Sequence, residues 1–142
     1  MRFKTSWIAA ALLFWGGAVS CQNQEAAESA TQSGVINVNI NANEFAALLD
    51  SAQSKGVLLD VRTPEEFAQG HLKGAEQLNF YDGNFKTELS KLDKNTPVYV
   101  YCRSGARSGN AAKMMKELGF TAVYNLQGGI MMWQRSGHQV AK

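Results

Sequence analysis

From Val35 onward, short apolar runs alternate with stretches of helical periodicity, and a chain so patterned must bury its strands in a sheet and cover that sheet with helices. Val35 to Ile40 alternates as a first strand. Asn41 and Glu44 have the spacing of a capping box. Phe45, Leu48, Leu49 and Ala52 then fall on one helical face, and Gly56 suits the helix exit. Val57 to Val61 is a continuous apolar run holding one acid, Asp60, as expected of a strand covered on both faces. Thr63, Pro64 and Glu66 spell a second helix start, with Thr63 as cap, Pro64 at the first helical position and Glu66 reaching back; Gly70 closes that helix.

Asn84 to Leu92 is weakly helical, with Phe85, Leu89 and Leu92 on one face, and Pro97 ends the following turn. Val98 to Tyr101 is β-branched and aromatic, so it reads as a strand, and it delivers Cys102 at its C-terminal end, where open α/β sheets place their ligands. A helix with the apolar stripe Ala111, Met114, Met115 and Leu118 follows, closed by Gly119; the two methionines read as core. Tyr124 and Trp133 read as core or pocket wall. The expected architecture is α/β: a mainly parallel central sheet flanked by helices on both faces, occupying residues 35–142.

The preceding residues are of a different kind. Arg2 and Lys4 come before an apolar run, Trp7 to Val19, that is shorter than the roughly 20 residues a membrane span needs, so residues 1–20 read as a secretory signal. Ala18-Val19-Ser20-Cys21 resembles a bacterial lipobox, departing from it at Ala18, where Leu is preferred. That resemblance makes Cys21 a lipidation site and places the protein in the periplasm or cell envelope, anchored to a membrane; simple cleavage nearby is the alternative. Residues 21–34 lack any large apolar residue before the final glycine and read as a flexible tether. A net charge of +2, with no run of Lys and Arg interleaved with aromatics, gives no ground for nucleic-acid binding.

The segment Cys102-Arg103-Ser104-Gly105-Ala106-Arg107-Ser108 carries the chemistry. It joins a buried strand to a helix through small residues and two cations. A helix N-terminus, a curled loop of backbone N–H groups and the charges of Arg103 and Arg107 all favour thiolate over thiol, and the same loop binds an anion. The competing reading of Cys102 is a buried structural thiol or a disulfide with Cys21; the disulfide is lost if Cys21 is lipidated or removed. Its place at a strand-to-helix turn, followed by Arg, Ser, Gly and Arg, favours a nucleophile.

Three separated motifs carry a resemblance to the rhodanese family, from about Asn37 to Gly137. Leu59 to Ala75 (LDVRTPEEFAQGHLKGA) is similar to the family's DVR, EF and GHIxGA signature. Tyr101 to Ser108 resembles the active-site loop of small single-domain bacterial members, and Leu126 to Trp133 (LQGGIMMW) the terminal LxGGxxxW stretch. The resemblance implies a sulfur relay without metal or organic cofactor: Cys102 takes the outer sulfur of a small donor anion such as thiosulfate, and a thiol or cyanide acceptor collects it. It also implies that the loop from Arg103 through Ser104, Gly105, Ala106 and Arg107 to Ser108 binds the donor, with Arg103 and Arg107 the candidates for gripping its charge and Arg107 slightly favoured, and that Asp60 and Arg62 support the loop. Glu66 is accounted for by capping and His71 by a turn contact.

Two other functions fit the loop. A cysteine phosphatase or arsenate reductase also uses a thiolate in an anion-binding loop, but it places Arg six positions after the nucleophile, and here that position is Ser108. A module that carries or senses persulfide without turnover would keep the same residues.

Overall fold

A computed structural model describes residues 34–51 and 55–142. The signal, the lipobox with Cys21 and all but the last residue of the tether lie outside the described residues. Five strands, β1 (Ile36–Ile40), β2 (Val57–Asp60), β3 (Glu76–Gln77), β4 (Val98–Tyr101) and β5 (Ala122–Leu126), form one sheet in the order β1-β5-β4-β2-β3. Every pairing is parallel, with β4 at the centre, its Tyr101 opposite Asp60 of β2 and its Val100 opposite Asn125 of β5. The helices are α1 (Ala42–Asp50), α2 (Pro64–Gln69), α3 (Phe85–Lys91), α4 (Ala106–Glu117) and α5 (Gly129–Arg135).

The continuous apolar character of β4 has a direct structural consequence. Val98 and Val100, with Cys102 beyond them, enter a cluster that α3 and α4 cover through Phe85, Leu89, Ala111, Ala112 and Met115. Tyr99 and Tyr101 point the other way, into a cluster that α1 and α5 cover through Ala42, Phe45, Ile130 and Trp133. Successive side chains alternate across a strand, so a central strand with helices on both faces has no polar side left. Each fully buried Phe or Leu contributes about 1.5–3 kcal/mol to this two-sided core.

Local signals act where the sequence places them. Asn41 and Glu44 close a capping box on α1, and Thr63 and Glu66 close one on α2 with Pro64 in the first turn. Met115 is fully buried and Met114 packs against the same cluster. Gly119, with φ +89°, terminates α4 in the left-handed conformation. Gly56 has a different role from helix exit: α1 ends with Ser51 as its cap, and a Cβ on Gly56 would stand 2.4 Å from the Tyr99 ring and 2.6 Å from the Pro97 carbonyl oxygen. The glycine is there because the chain entering β2 passes flat against β4. The two-residue β3 carries no sequence signal, since Glu76 and Gln77 are polar and pair only at the sheet edge.

Candidate active site

Cys102 leaves the C-terminal end of β4 and is 1% exposed. The chain then turns through Arg103, Ser104 and Gly105 into α4. Gly105 occupies the N-cap position with φ +98°, the left-handed conformation that favours glycine, and a Cβ there would approach the Gly128 nitrogen at 3.3 Å. This turn aims the first N–H groups of the helix back at the sulfur. The Gly105 N–H donates to Cys102 Sγ at 3.1 Å, and the fully buried Ser108 hydroxyl donates to it at 3.4 Å.

Burial pushes the Cys102 thiol up, but the Ser108 hydroxyl and the backbone N–H groups of Ser108, Gly105 and Ser104 outweigh it and hold the thiol below its ordinary range. Cys102 alkylation should therefore persist at a pH where a free thiol is already protonated and slow. Ser108→Ala should move the alkylation midpoint upward, because it removes a hydrogen bond that the charged sulfur accepts. An unchanged midpoint would show that the hydroxyl does not stabilise the thiolate.

The two loop arginines part company. Arg103 is exposed, and among the described residues no carboxylate pairs with it. Arg107 gives both terminal nitrogens to Glu66, at 2.7 and 2.8 Å, with its guanidinium 5.5 Å from the centre of the Tyr81 ring. The expectation of a free donor-binding cation at 107 thus meets a structure in which that guanidinium holds a carboxylate 41 residues away. Arg107 holds the Glu66 carboxyl down at about 2, so the pair stabilises the fold fully above about pH 4.5, and that contribution is lost as the pH falls through about 2. Glu66 does more than cap: it closes the box with Thr63 N–H and ties α2 to α4 across the loop.

Asp60 and Arg62 lie beneath this level, both buried. Arg62 Nε and Nη2 grip the Asp60 carboxylate at 2.6 to 3.0 Å, and Nη2 also donates to the Gly70 carbonyl at 2.7 Å. A buried carboxylate and a buried guanidinium satisfied by each other fasten the end of β2 to the end of α2. The Tyr101 hydroxyl accepts from Leu72 N–H at 3.0 Å, and burial, with Asp60 adding to it, keeps that phenol un-ionised. His71 makes its contact within the turn, Nδ1 lying 3.2 Å from the Phe67 carbonyl.

The loop is also held from behind. Ile130 N–H donates to the Cys102 carbonyl at 2.9 Å and Met131 N–H to the Arg103 carbonyl at 3.2 Å, so the start of α5 rests on the backbone of the loop. Gly129, with φ +59°, makes that approach possible, since a Cβ there would lie 2.4 Å from Cys102 O. The GG of Gly128-Gly129 was the visible signal, but nothing in its spacing says what it packs against. A buried sulfur that accepts from the Gly105 N–H, on a loop braced by a glycine-started helix, at the carboxyl end of a parallel sheet, is an arrangement suited to a nucleophile.

The chain matches the model of the rhodanese-like domain over residues 41–136. It belongs to the rhodanese-like family. Two relatives place this rhodanese-like domain further: it is 39% identical over 94 residues to the uncharacterized protein YqhL of Bacillus subtilis, covering 66% of this chain and 70% of that one. It is 42% identical over 81 residues to a protein named sulfurtransferase from Allochromatium vinosum, covering 57% and 74% respectively. Among solved structures, a rhodanese-related protein from Thermoplasma volcanium superimposes with a TM-score of 0.63 at 25% identity, over 72% of this chain and 96% of that one. The rhodanese-like fold explains why the three sequence motifs converge: the first supplies the Asp60–Arg62 pair and Glu66, the second the loop, and the third its brace.

Proposed function

We propose that this rhodanese-like protein is a sulfurtransferase in which Cys102 carries the sulfur as a persulfide. The observation that bears most weight is the Cys102 sulfur itself, buried and facing the Gly105 N–H and the Ser108 hydroxyl. The name sulfurtransferase borne by the Allochromatium vinosum relative points the same way. In the first half-reaction the thiolate attacks the outer sulfur of a donor such as thiosulfate, the S–S bond breaks, and sulfite leaves with the bonding pair. In the second, an acceptor thiolate or cyanide attacks the outer sulfur of the persulfide and the Cys102 thiolate is released. The persulfide keeps the single negative charge of the thiolate but carries it on its outer sulfur, one bond further into the loop, where a positively polarised backbone favours it as well. Phosphate chemistry is less well served: the sixth position after Cys102 holds Ser108, and the guanidinium one position earlier, Arg107, is engaged with Glu66.

The mass of the purified protein after thiosulfate treatment should rise by one sulfur atom, and a small thiol should return it to its starting value over repeated cycles. Loading without repeated turnover would make the domain a persulfide carrier, and no gain in mass would remove the sulfur-transfer reading.

We further propose that the protein is exported and anchored through a lipid on Cys21. In a bacterial host the mature chain should begin at Cys21 and sediment with membranes, and Cys21→Ser should be released or remain unprocessed. A soluble wild type whose mature terminus lies beyond Cys21 would leave plain secretion.

A further inference from the structure

A cleft of about 380 Å³ opens beside the loop, with Arg62, Glu66 and Arg103 on its charged side and Ile130 and Met131 on its apolar side. Its charges cancel unevenly. Arg62 is held by Asp60 and Arg107 by Glu66, which leaves Arg103 as the uncompensated cation among the described residues of the loop and cleft. Met131, 37% exposed, adds apolar surface to the cleft, and the Tyr81 ring, 67% exposed, lies beside the Arg107 guanidinium. An inorganic dianion has nothing to bury against these side chains and must approach the Glu66 carboxylate; an organic anion of single charge can do the first and suffers half as much from the second.

Resting on the sulfur-transfer reading above, we propose that Glu66 determines donor selectivity. By neutralising Arg107 it leaves Arg103, among the described residues of the loop, as the only cation set against the Cys102 thiolate. The site then has no net positive charge with which to hold a dianion, and preference shifts toward singly charged organic sulfane donors, thiosulfonates and organic persulfides, over dianionic thiosulfate. With a thiosulfonate the Cys102 thiolate attacks the outer sulfur, the bond from that sulfur to the sulfonyl sulfur breaks, and a sulfinate leaves with the electron pair. The persulfide left behind is the one thiosulfate would give. Glu66 acts through Arg107 and the local field rather than by touching the reacting sulfur.

The test is the ratio of kcat/KM for thiosulfate to that for benzenethiosulfonate, measured on the full chain with one thiol acceptor at low ionic strength. The intrinsic reactivities of the two donors cancel when this ratio is compared between variants. Glu66→Gln retains an acceptor for Thr63 N–H and for Arg107 but removes the charge, and the ratio should rise about tenfold, shrinking as salt is added. Arg103→Gln, on an exposed side chain whose loss leaves the core intact, should lower the ratio by a similar factor. Glu88→Gln removes the same charge from the surface pair with Lys91 and should leave the ratio unchanged. If both donors load Cys102 while neither Glu66→Gln nor Arg103→Gln moves the ratio beyond the Glu88→Gln control, selectivity by Glu66 is overturned and sulfur transfer stands. If neither donor loads Cys102, both fall.

Discussion

Cys102→Ser should reduce persulfide formation by at least about three orders of magnitude, to background, while the protein still unfolds cooperatively within about 1 kcal/mol of wild type. The two outcomes come from different properties of one atom. Sulfur accepts a second sulfur because its thiolate is polarisable and forms far more readily than an alkoxide; a serine hydroxyl in the same place stays protonated and forms no stable analogue of a persulfide. The fold sees a far smaller change. Cys102 lies within the cluster under α3 and α4, and its partners there, the Gly105 N–H and the Ser108 hydroxyl, can serve an oxygen as well as a sulfur. Intact mass after donor treatment and a denaturant titration read the two separately. Sulfur transfer above trace by the variant would remove Cys102 from its proposed role, and an unfolded variant would mean that the thiol is chiefly a core group.

Gly129→Ala should be the most damaging glycine-to-alanine change among the described residues. Two costs add. An L-residue at φ +59° carries about 1–2 kcal/mol of strain, and the new Cβ would sit 2.4 Å from the Cys102 oxygen and 2.5 Å from the Arg103 oxygen, both backbone atoms with no rotamer to yield. The start of α5 must back away, and the bonds from Ile130 and Met131 to those same oxygens are lost or stretched. At about 1 kcal/mol for each hydrogen bond, the total comes to about 3–4 kcal/mol, a large part of a small domain's stability. The loop then loses its brace, and a displacement approaching 1 Å at the nucleophile should slow sulfur loading about a hundredfold. Gly119→Ala supplies the comparison: its φ is +89° but nothing lies within 4 Å of the added methyl, so it should cost only the strain and leave loading untouched. Equal behaviour of the two variants would show that α5 does not brace the loop.

What could be read directly from the chain shares one physical property: it depends on neighbours three or four residues away or on strict alternation. Asn41 with Glu44 and Thr63 with Glu66 form their boxes because a helix start brings residues three apart together wherever it occurs. The apolar run at Val98 to Tyr101 requires cover on both faces in any parallel sheet, and the glycine and small residues after Cys102 permit a turn in any setting. Three of the five strands, the two capping boxes, the sheet class and the position of the candidate nucleophile were therefore legible in the sequence, whereas β3 and β5 were not.

The choice of partner for each charge was decided only in three dimensions. Nothing local distinguishes Arg103 from Arg107. Among the described residues one has no carboxylate partner and the other is bound, because α2 carries a carboxylate past the first turn of α4, a contact across 41 residues. Asp60 and Arg62 are near neighbours in the chain, yet their burial, which turns a surface pair into a fastening, comes from the packing of Tyr101 and the turn at Gly70 around them. Gly129 likewise meets the carbonyls of Cys102 and Arg103 only once β4 and β5 lie side by side. Backbone preference is a property of each residue and its nearest neighbours, so sequence alone determines it; electrostatic pairing and steric contact depend on distance through space, and only the assembled sheet sets those distances.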